Sequence, residues 1–285
     1  MRRVMAIVLA GGRSEGLGVL TVPRAAPALP FGGKHRVIDF TLSNCLHSEI
    51  FQVALLTQHQ PTSLVEHIGA GRPWDLDRLK GSVQILQPFV RRGHALWYRG
   101  TADALSQNLS AIEDANVQNV IVASGDHVYL MDYGRLIQAH EDSGARVTLA
   151  VTSVPQERRS RYGMVALDDQ QRVRRFVEKP EDTELSWASM GLYVFDAGWL
   201  LRALADLKGP DLVFDLILPA LAAGERIQGF RFQGYWEDVG ELSTYYRANR
   251  ELLSERPALR LDDPRWTVLT RNEERPPARF GNRSK

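Results

Sequence analysis

The sequence is short of cysteine, of long apolar runs and of excess charge of either sign. Cys45 is the only cysteine, so no intramolecular disulfide and no cysteine-based zinc site can form. A lone thiol suits a reducing compartment, and the cytoplasm is the expected location. No stretch approaches the roughly 20 apolar residues needed to cross a bilayer, so no membrane span is expected. The opening MRRVMAIVLAGG sets two arginines before an apolar run, as a secretion signal would, but the run ends at Ala10 and reads better as a buried strand. Lys and Arg number 35 against 34 Asp and Glu, so no global field draws the chain to nucleic acid or to an anionic membrane. An anionic ligand must be held by local groups. No internal repeat of roughly 20 to 50 residues is present, which excludes a solenoid.

What is present is the pattern of an α/β protein. Short β-branched runs at Val4 to Leu9, Val53 to Thr57, Val83 to Leu86, Val120 to Ala123 and Val147 to Val154 alternate with helical patterns. That alternation predicts a mostly parallel mixed sheet flanked by helices. Between the third and fourth runs Thr101 can cap a helix, with Asp103 in its first turn and Leu105, Leu109 and Ile112 at helical spacing. YGMVALDDQQRVRRFVEKP reads as an antiparallel hairpin turning at Asp168 to Gln171, and SMGLYVFD as a returning strand. Phe214, Ile217, Leu218 and Leu221 predict an amphipathic helix kinked by Pro219, and helical spacing resumes after Glu241. From Pro257 the chain is rich in proline and charge without periodicity, so the expected organisation is a domain over 1–254 and a linker-like tail over 255–285.

The first strand runs into Ala10, Gly11, Gly12 and Arg13, where glycines let backbone approach a ligand and turn N–H groups toward phosphate. Alone, that pattern fits a tight turn as well as a nucleotide site. It is neither a dinucleotide fingerprint nor a Walker loop. Lys179 precedes Pro180, which predicts an extended residue whose ammonium projects as a point charge. Read by themselves, Asp126 fits a helix or turn cap and Asp238 a surface carboxylate better than a metal site.

The segments LAGG, FGGKHRVIDFTLSNC, WYRGTADAL, SGDHVYLMDY, VEKP, SMGLYVFD and YWEDVG follow in order from Leu9 to Gly240. Together they resemble ADP-glucose pyrophosphorylases, from about Val4 to Phe280. The resemblance implies a Rossmann-like, GT-A-like nucleotidyltransferase domain that joins ATP and glucose 1-phosphate into ADP-glucose with release of pyrophosphate, a step of glycogen and α-glucan synthesis. It implies Asp126 and Asp238 as catalytic ligands of Mg²⁺, and Leu9, Ala10, Gly11, Gly12 and Gly125 around the nucleotide. It places Tyr98, Gly163, Glu178, Lys179, Ser189 and Gly191 around glucose 1-phosphate. Family members continue into a left-handed β-helix domain, which this sequence is expected to lack.

The nucleotide side departs from the family pattern. Where GGxGTRLxPLT is usual the chain reads GGRSEGLGVLT, so Gly16 stands in place of an arginine; PRAAPA puts Ala26 in place of a lysine. Each lost cation removes charge stabilisation from the transition state. LPAQQR is replaced by Leu86 to Arg91, LQPFVR, leaving the base open among the nucleoside triphosphates. Two readings follow. One is an adenylyltransferase, of weakened turnover, in which Arg13, Arg24 and Lys34 supply replacement charge. The other is a catalytically silent subunit that binds sugar phosphate or an effector and modulates an active homologue; a homologous subunit or a homo-oligomer is the expected assembly. If the fold and the metal site are intact, Gly16→Arg with Ala26→Lys is expected to raise turnover, and a flat response would place the lesion deeper than those two charges.

Overall fold

The structure, a computed structural model, describes residues 3–272 apart from Lys80, Phe89, Arg92, Gly93 and Leu96, and describes no side chains at 90, 91, 94 and 95. In chain order the principal elements are β1 (Val4–Leu9), α1 (Ile38–His47), β2 (Gln52–Leu56), α2 (Thr62–Ile68), β3 (Ser82–Leu86), α3 (Thr101–Gln107), α4 (Leu109–Ala115), β4 (Asn119–Ser124), β5 (His127–Tyr129) and α5 (Tyr133–Ser143). There follow β6 (Val147–Ser153), β7 (Met164–Leu167), β8 (Val173–Val177), β9 (Trp187–Asp196), α6 (Ala197–Ala205), α7 (Leu218–Ala222), β10 (Ile227–Arg231), β11 (Trp236–Asp238) and α8 (Leu242–Glu251).

A nine-stranded sheet runs β8-β7-β9-β4-β1-β2-β3, with β6 pairing β9 and β10 to one side. Its strands β4-β1-β2-β3 are parallel, with Ile7 opposite Ala54 on one side and Val122 on the other, and β6 and β10 form a second parallel pair. β9 enters antiparallel to β4, β6 and β7, so the sheet is mixed. Alternation along β1 explains why it is buried on both faces. Val4, Ala6 and Val8 pack with Ile38 and Leu42 of α1 and Leu64 of α2, while Met5 and Ile7 pack with Leu105 of α3, Ile112 of α4 and Leu200 of α6. The parallel strands therefore end together, and the chain leaves Leu9, Leu56, Leu86 and Ser124 at one rim of the sheet.

Local chemistry moves several expected boundaries. The helix beginning at Thr101 is broken at Asn108, whose amide donates to the Ala104 carbonyl at 2.8 Å and to the Tyr98 hydroxyl at 3.0 Å. Thr101 does not cap it. Gly100 holds the N-cap, and the Thr101 hydroxyl accepts from Leu212 N at 2.9 Å. Residues 213–217 form a π-turn that runs directly into α7, so the irregularity expected of Pro219 is present in this helical run, in the turn immediately before the proline. The hairpin at Asp168 to Gln171 is present between β7 and β8.

A third cluster joins Leu17, Ala26, Phe31 and Phe40 to Val128, Val239, Ala248, Leu259 and Val268. The segment that looks linker-like in composition is thus anchored over part of its length. Trp266 donates its indole N–H to Asn44 Oδ1 at 3.0 Å, Leu269 N donates to Ser43 Oγ at 2.9 Å, and Trp74 donates to the Leu269 carbonyl at 3.2 Å. Residues 273–285 lie outside the described residues.

Candidate active site

At the rim where β1, β2 and β4 end, a cleft of about 280 Å³ opens between Gly11 and Gly12, Gln58, Tyr98, Thr101 and Asp126. Ligands of open α/β sheets bind at this end. The backbone after β1 is drawn in tightly: Ala10 N donates to the Leu56 carbonyl and Gly125 N to the Leu9 carbonyl, both at 2.9 Å. A Cβ at Gly11 would lie 3.2 Å from Gln58 N, and one at Gly125 3.2 Å from the Leu9 carbonyl oxygen, so a side chain at either would crowd the close turn. Gln58 braces the far wall, accepting from Tyr98 N at 2.5 Å and donating to the Tyr98 carbonyl at 3.3 Å. His59 stacks on Trp97 at the mouth. Desolvation first, and then the Arg13 cation, hold its imidazole below the usual histidine range. A larger hollow of about 590 Å³ lies at the opposite end of the strands, beside Arg3, Gln52 and Asp114, and holds none of the expected site residues.

The two expected carboxylates are brought together. Asp126 lies two residues beyond β4, and Asp238 ends β11 rather than lying in a loop, because β11 pairs antiparallel with β5 and sets Asp238 opposite His127. Asp126 Oδ1 is 3.7 Å and Asp238 Oδ1 3.9 Å from His127 Nε2. The other ring nitrogen of His127 lies 3.0 Å from the Met190 carbonyl, which can only accept. That makes Nδ1 the donor and turns Nε2 toward the carboxylates. The two carboxylates thus face one another beside His127, an arrangement that fits a cation bound through oxygen ligands. Among the described residues no group of three or more His, Cys, Asp or Glu side chains is placed to hold a metal alone. A cation here would take its remaining ligands from phosphate and water, the habit of magnesium. Asp126 is oriented by the Ser124 hydroxyl, and Asp238 Oδ1 accepts from Gly240 N at 2.8 Å.

Of the residues the resemblance places around a sugar phosphate, Gly163 precedes β7, Glu178 and Lys179 follow β8, and Ser189 and Gly191 lie in β9. Gly191 takes φ +64° at an irregularity between β6 and β9, and a Cβ there would stand 3.2 Å from His127 Cε1. The bulge is what presents the Met190 carbonyl to His127. Ser189 N donates to the Gly163 carbonyl at 2.7 Å, and a Cβ on Gly163 would be 2.6 Å from Glu178 Oε2, so Gly163, Glu178 and Ser189 form one wall. Burial raises the Glu178 carboxyl above its ordinary range; Lys179 opposes that shift and Asp211 reinforces it. Tyr98 is positioned by Asn108, and burial pushes its phenol up.

One expectation fails in detail: Lys179 is not extended. It takes φ +44°, its N–H donating to the Tyr162 carbonyl at 3.2 Å, so a tight turn overrides the preference set by Pro180 and leaves the side chain exposed. The positions of the replaced cations are also filled. A Cβ at Gly16 would meet the Gly240 carbonyl oxygen at 2.8 Å, and Ala26 is only 1% exposed. For base recognition, Phe89 lies outside the described residues, as do the Val90 and Arg91 side chains. His127, Gln58, Asn108, Asp211 and Glu237 were not singled out from sequence. The SGDHVY and YWEDVG runs, in which His127 and Glu237 adjoin the two aspartates, carried the available signal.

A glycine turn and a carboxylate pair at the carboxyl rim of a mixed α/β sheet define a nucleotidyl-transfer domain, and the family model described as Nucleotidyl transferase matches residues 5–255. Among similar proteins are the glucose-1-phosphate adenylyltransferases of Thermotoga neapolitana (46% identity over 284 residues, 98% of this chain and 67% of the relative) and Thermomicrobium roseum (47% over 286 residues, 98% and 67%). That of Thermosipho africanus is 42% identical over 289 residues, 100% of this chain and 70% of the relative. The chain belongs to this glucose-1-phosphate adenylyltransferase branch of the nucleotidyl transferase family. It spans about two thirds of these relatives' length. Among the described residues no helix is long and apolar enough to cross a membrane.

Proposed function

We propose that this protein binds a nucleoside triphosphate, ATP by likeness to its relatives, together with glucose 1-phosphate, and transfers the nucleotidyl group between them. A phosphate oxygen of glucose 1-phosphate forms a bond to the α-phosphorus as the bond from that phosphorus to pyrophosphate breaks, giving a sugar nucleotide and free pyrophosphate. The observation that carries this reading is the convergence of Asp126 and Asp238 on His127 at the strand ends. These carboxylates would hold Mg²⁺, which when bound neutralises phosphate charge during transfer. Leu9 to Gly12 and Gly125 would form the floor under the nucleotide, where the two glycines allow close approach. Glu178 and Ser189 would take sugar hydroxyls, and Lys179 would face the sugar's phosphate as a point charge. Tyr98, Gly163 and Gly191 would shape the pocket.

The second reading, a silent subunit that binds sugar phosphate beside an active homologue, is favoured by one observation. Gly16 is packed against Gly240, so the arginine usual at this place is absent and its space is closed. The two readings separate in one assay: pyrophosphate release from the purified chain with Mg²⁺, glucose 1-phosphate and each triphosphate in turn. Release that Asp126→Ala abolishes supports transfer. No release from folded protein, with glucose 1-phosphate bound, supports the silent subunit.

A further inference from the structure

β11 is three residues long and pairs only with the equally short β5. A ribbon of that size is marginal by itself, so its backbone pairing alone fixes Asp238 weakly. Successive side chains of a strand point to opposite faces, which sends Asp238 to the cleft and Glu237 away from it. Glu237 is nonetheless buried, with its side chain 6% exposed. It is held on both oxygens: Arg158 Nη2 bonds Oε1, and Arg247 Nη2 bonds Oε2 at 3.0 Å. The two arginines come from separate elements, Arg158 from the short helix at Gln156–Arg161 and Arg247 from α8. Arg158 is itself tied to the Tyr162 hydroxyl at 2.8 Å, and the Tyr162 ring packs on Trp236, the residue before Glu237, at 5.1 Å.

A buried ion pair of this kind adds little net stability, since desolvation offsets the attraction, and its best-attested use is to fix one geometry. With both oxygens engaged by guanidinium groups from two directions, the mostly buried Arg158 and the half-exposed Arg247, the Glu237 carboxylate is restrained against rotation and against a shift along the strand. Asp238 is the next residue and inherits that position. Glu237 faces away from the cleft and so is not placed to be a ligand.

We infer that Glu237, clamped between Arg158 and Arg247, is a positioning residue that sets the Asp238 carboxylate against Asp126 and thereby tunes divalent-cation affinity. The inference rests on the proposed role of Asp126 and Asp238 as a cation-binding pair.

The test is binding of Mn²⁺ alone to the full chain, read by loss of the free-ion electron paramagnetic resonance signal. Wild type is expected to bind in a manner that Asp126→Asn abolishes. Glu237→Gln is expected to weaken binding by roughly 10- to 100-fold, the usual effect of removing a group that orients a ligand. Arg247→Ala, which leaves the Arg158 contact in place, is expected to weaken it less. The paired substitution Arg158→Met with Glu237→Leu removes both buried charges together, so it keeps the protein folded for the comparison if Glu237→Gln does not. A merely structural role would lower the melting temperature and leave Mn²⁺ affinity of the folded protein unchanged; that result in either folded variant would overturn the inference alone. If wild type shows no Asp126-dependent binding, the cation pair itself falls and the positioning role with it.

Discussion

Gly16 lies so close to Gly240 that a Cβ on it would stand 2.8 Å from the Gly240 carbonyl oxygen and 3.1 Å from Glu241 Cγ. Glu241 is in turn held by Arg161, Nη2 to Oε2 at 3.0 Å. The loop that follows the glycine turn therefore rests directly on the loop that follows Asp238. Leu17, fully buried, anchors it from beneath.

Sequence reasoning alone would restore an arginine at Gly16 to recover phosphate-side charge. The contact reverses that expectation. A side chain there must displace backbone, an overpacking cost of about 1–3 kcal/mol. Gly16→Arg is expected to lower the melting temperature and leave turnover unimproved; Ala26→Lys, which places an ammonium beside Leu17 and Phe31, is expected to destabilise further. Thermal denaturation with a turnover assay on the single and paired variants checks both.

Much of the fold was legible because strands buried on both faces leave continuous apolar runs. Val4 to Leu9 coincides with β1, and the cleft sits where Gly11 and Gly12 follow it. Asp126, Asp238, Glu178 and Ser189 were marked by motif; Asp126 follows β4, Glu178 follows β8 and Ser189 lies in β9, whereas Asp238 reaches Asp126 from the separate β5-β11 ribbon. The breaks were less legible because single side chains decide them. Asn108 ends α3 through a bond to its own backbone, and the Tyr162 carbonyl turns Lys179 into a left-handed conformation despite Pro180. Long-range contacts leave no local pattern at all: nothing around Gly16 announces Gly240, more than two hundred residues away.

Glu178 gives a pH-dependent prediction. Its carboxyl is raised by burial, so the unfolded chain releases the proton more readily than the folded one. Such a group stabilises the fold at acid pH, and that contribution is lost as pH rises through its raised value. Glu178→Gln is expected to raise the melting temperature at neutral pH, with the gain vanishing below the ordinary glutamate range, while glucose 1-phosphate binding weakens. Calorimetry across pH reads the first and titration calorimetry the second.

His140 predicts the opposite limb. Burial, opposed by Asp196, lowers its imidazole from 6.5 to about 4, and its Nδ1 lies 2.9 Å from the Thr148 hydroxyl. The folded state thus favours the neutral ring, a contribution present above pH 6.5 and lost as pH falls toward 4, worth about 3 kcal/mol at most. Urea denaturation of wild type should steepen its acid loss across that window. His140→Asn should flatten it, and equal slopes would refute the assignment.

Cys45 is fully buried in α1, and its thiol is pushed up to about 12. Native protein is therefore expected to resist thiol-specific reagents at neutral pH and to react once unfolded. Labelling followed by mass spectrometry, with and without denaturant, checks this.

Trp266 ties the last described segment to Asn44, whose amide also donates to the Tyr129 carbonyl of β5. Trp266→Ala is expected to destabilise the fold by about 1–3 kcal/mol, with Trp266→Phe intermediate because the ring remains against His47. Denaturant midpoints of the three proteins give the ordering.

Nucleotidyl transfer across the Asp126 and Asp238 pair is tested most directly by following label from ATP carrying a marked α-phosphorus, with Mg²⁺ and glucose 1-phosphate. The account predicts label in a sugar nucleotide, formed by wild type and lost in Asp126→Asn and Asp238→Asn, each shown to be folded. Label transfer that persists in either variant, or its absence from folded wild type under every triphosphate, would contradict it.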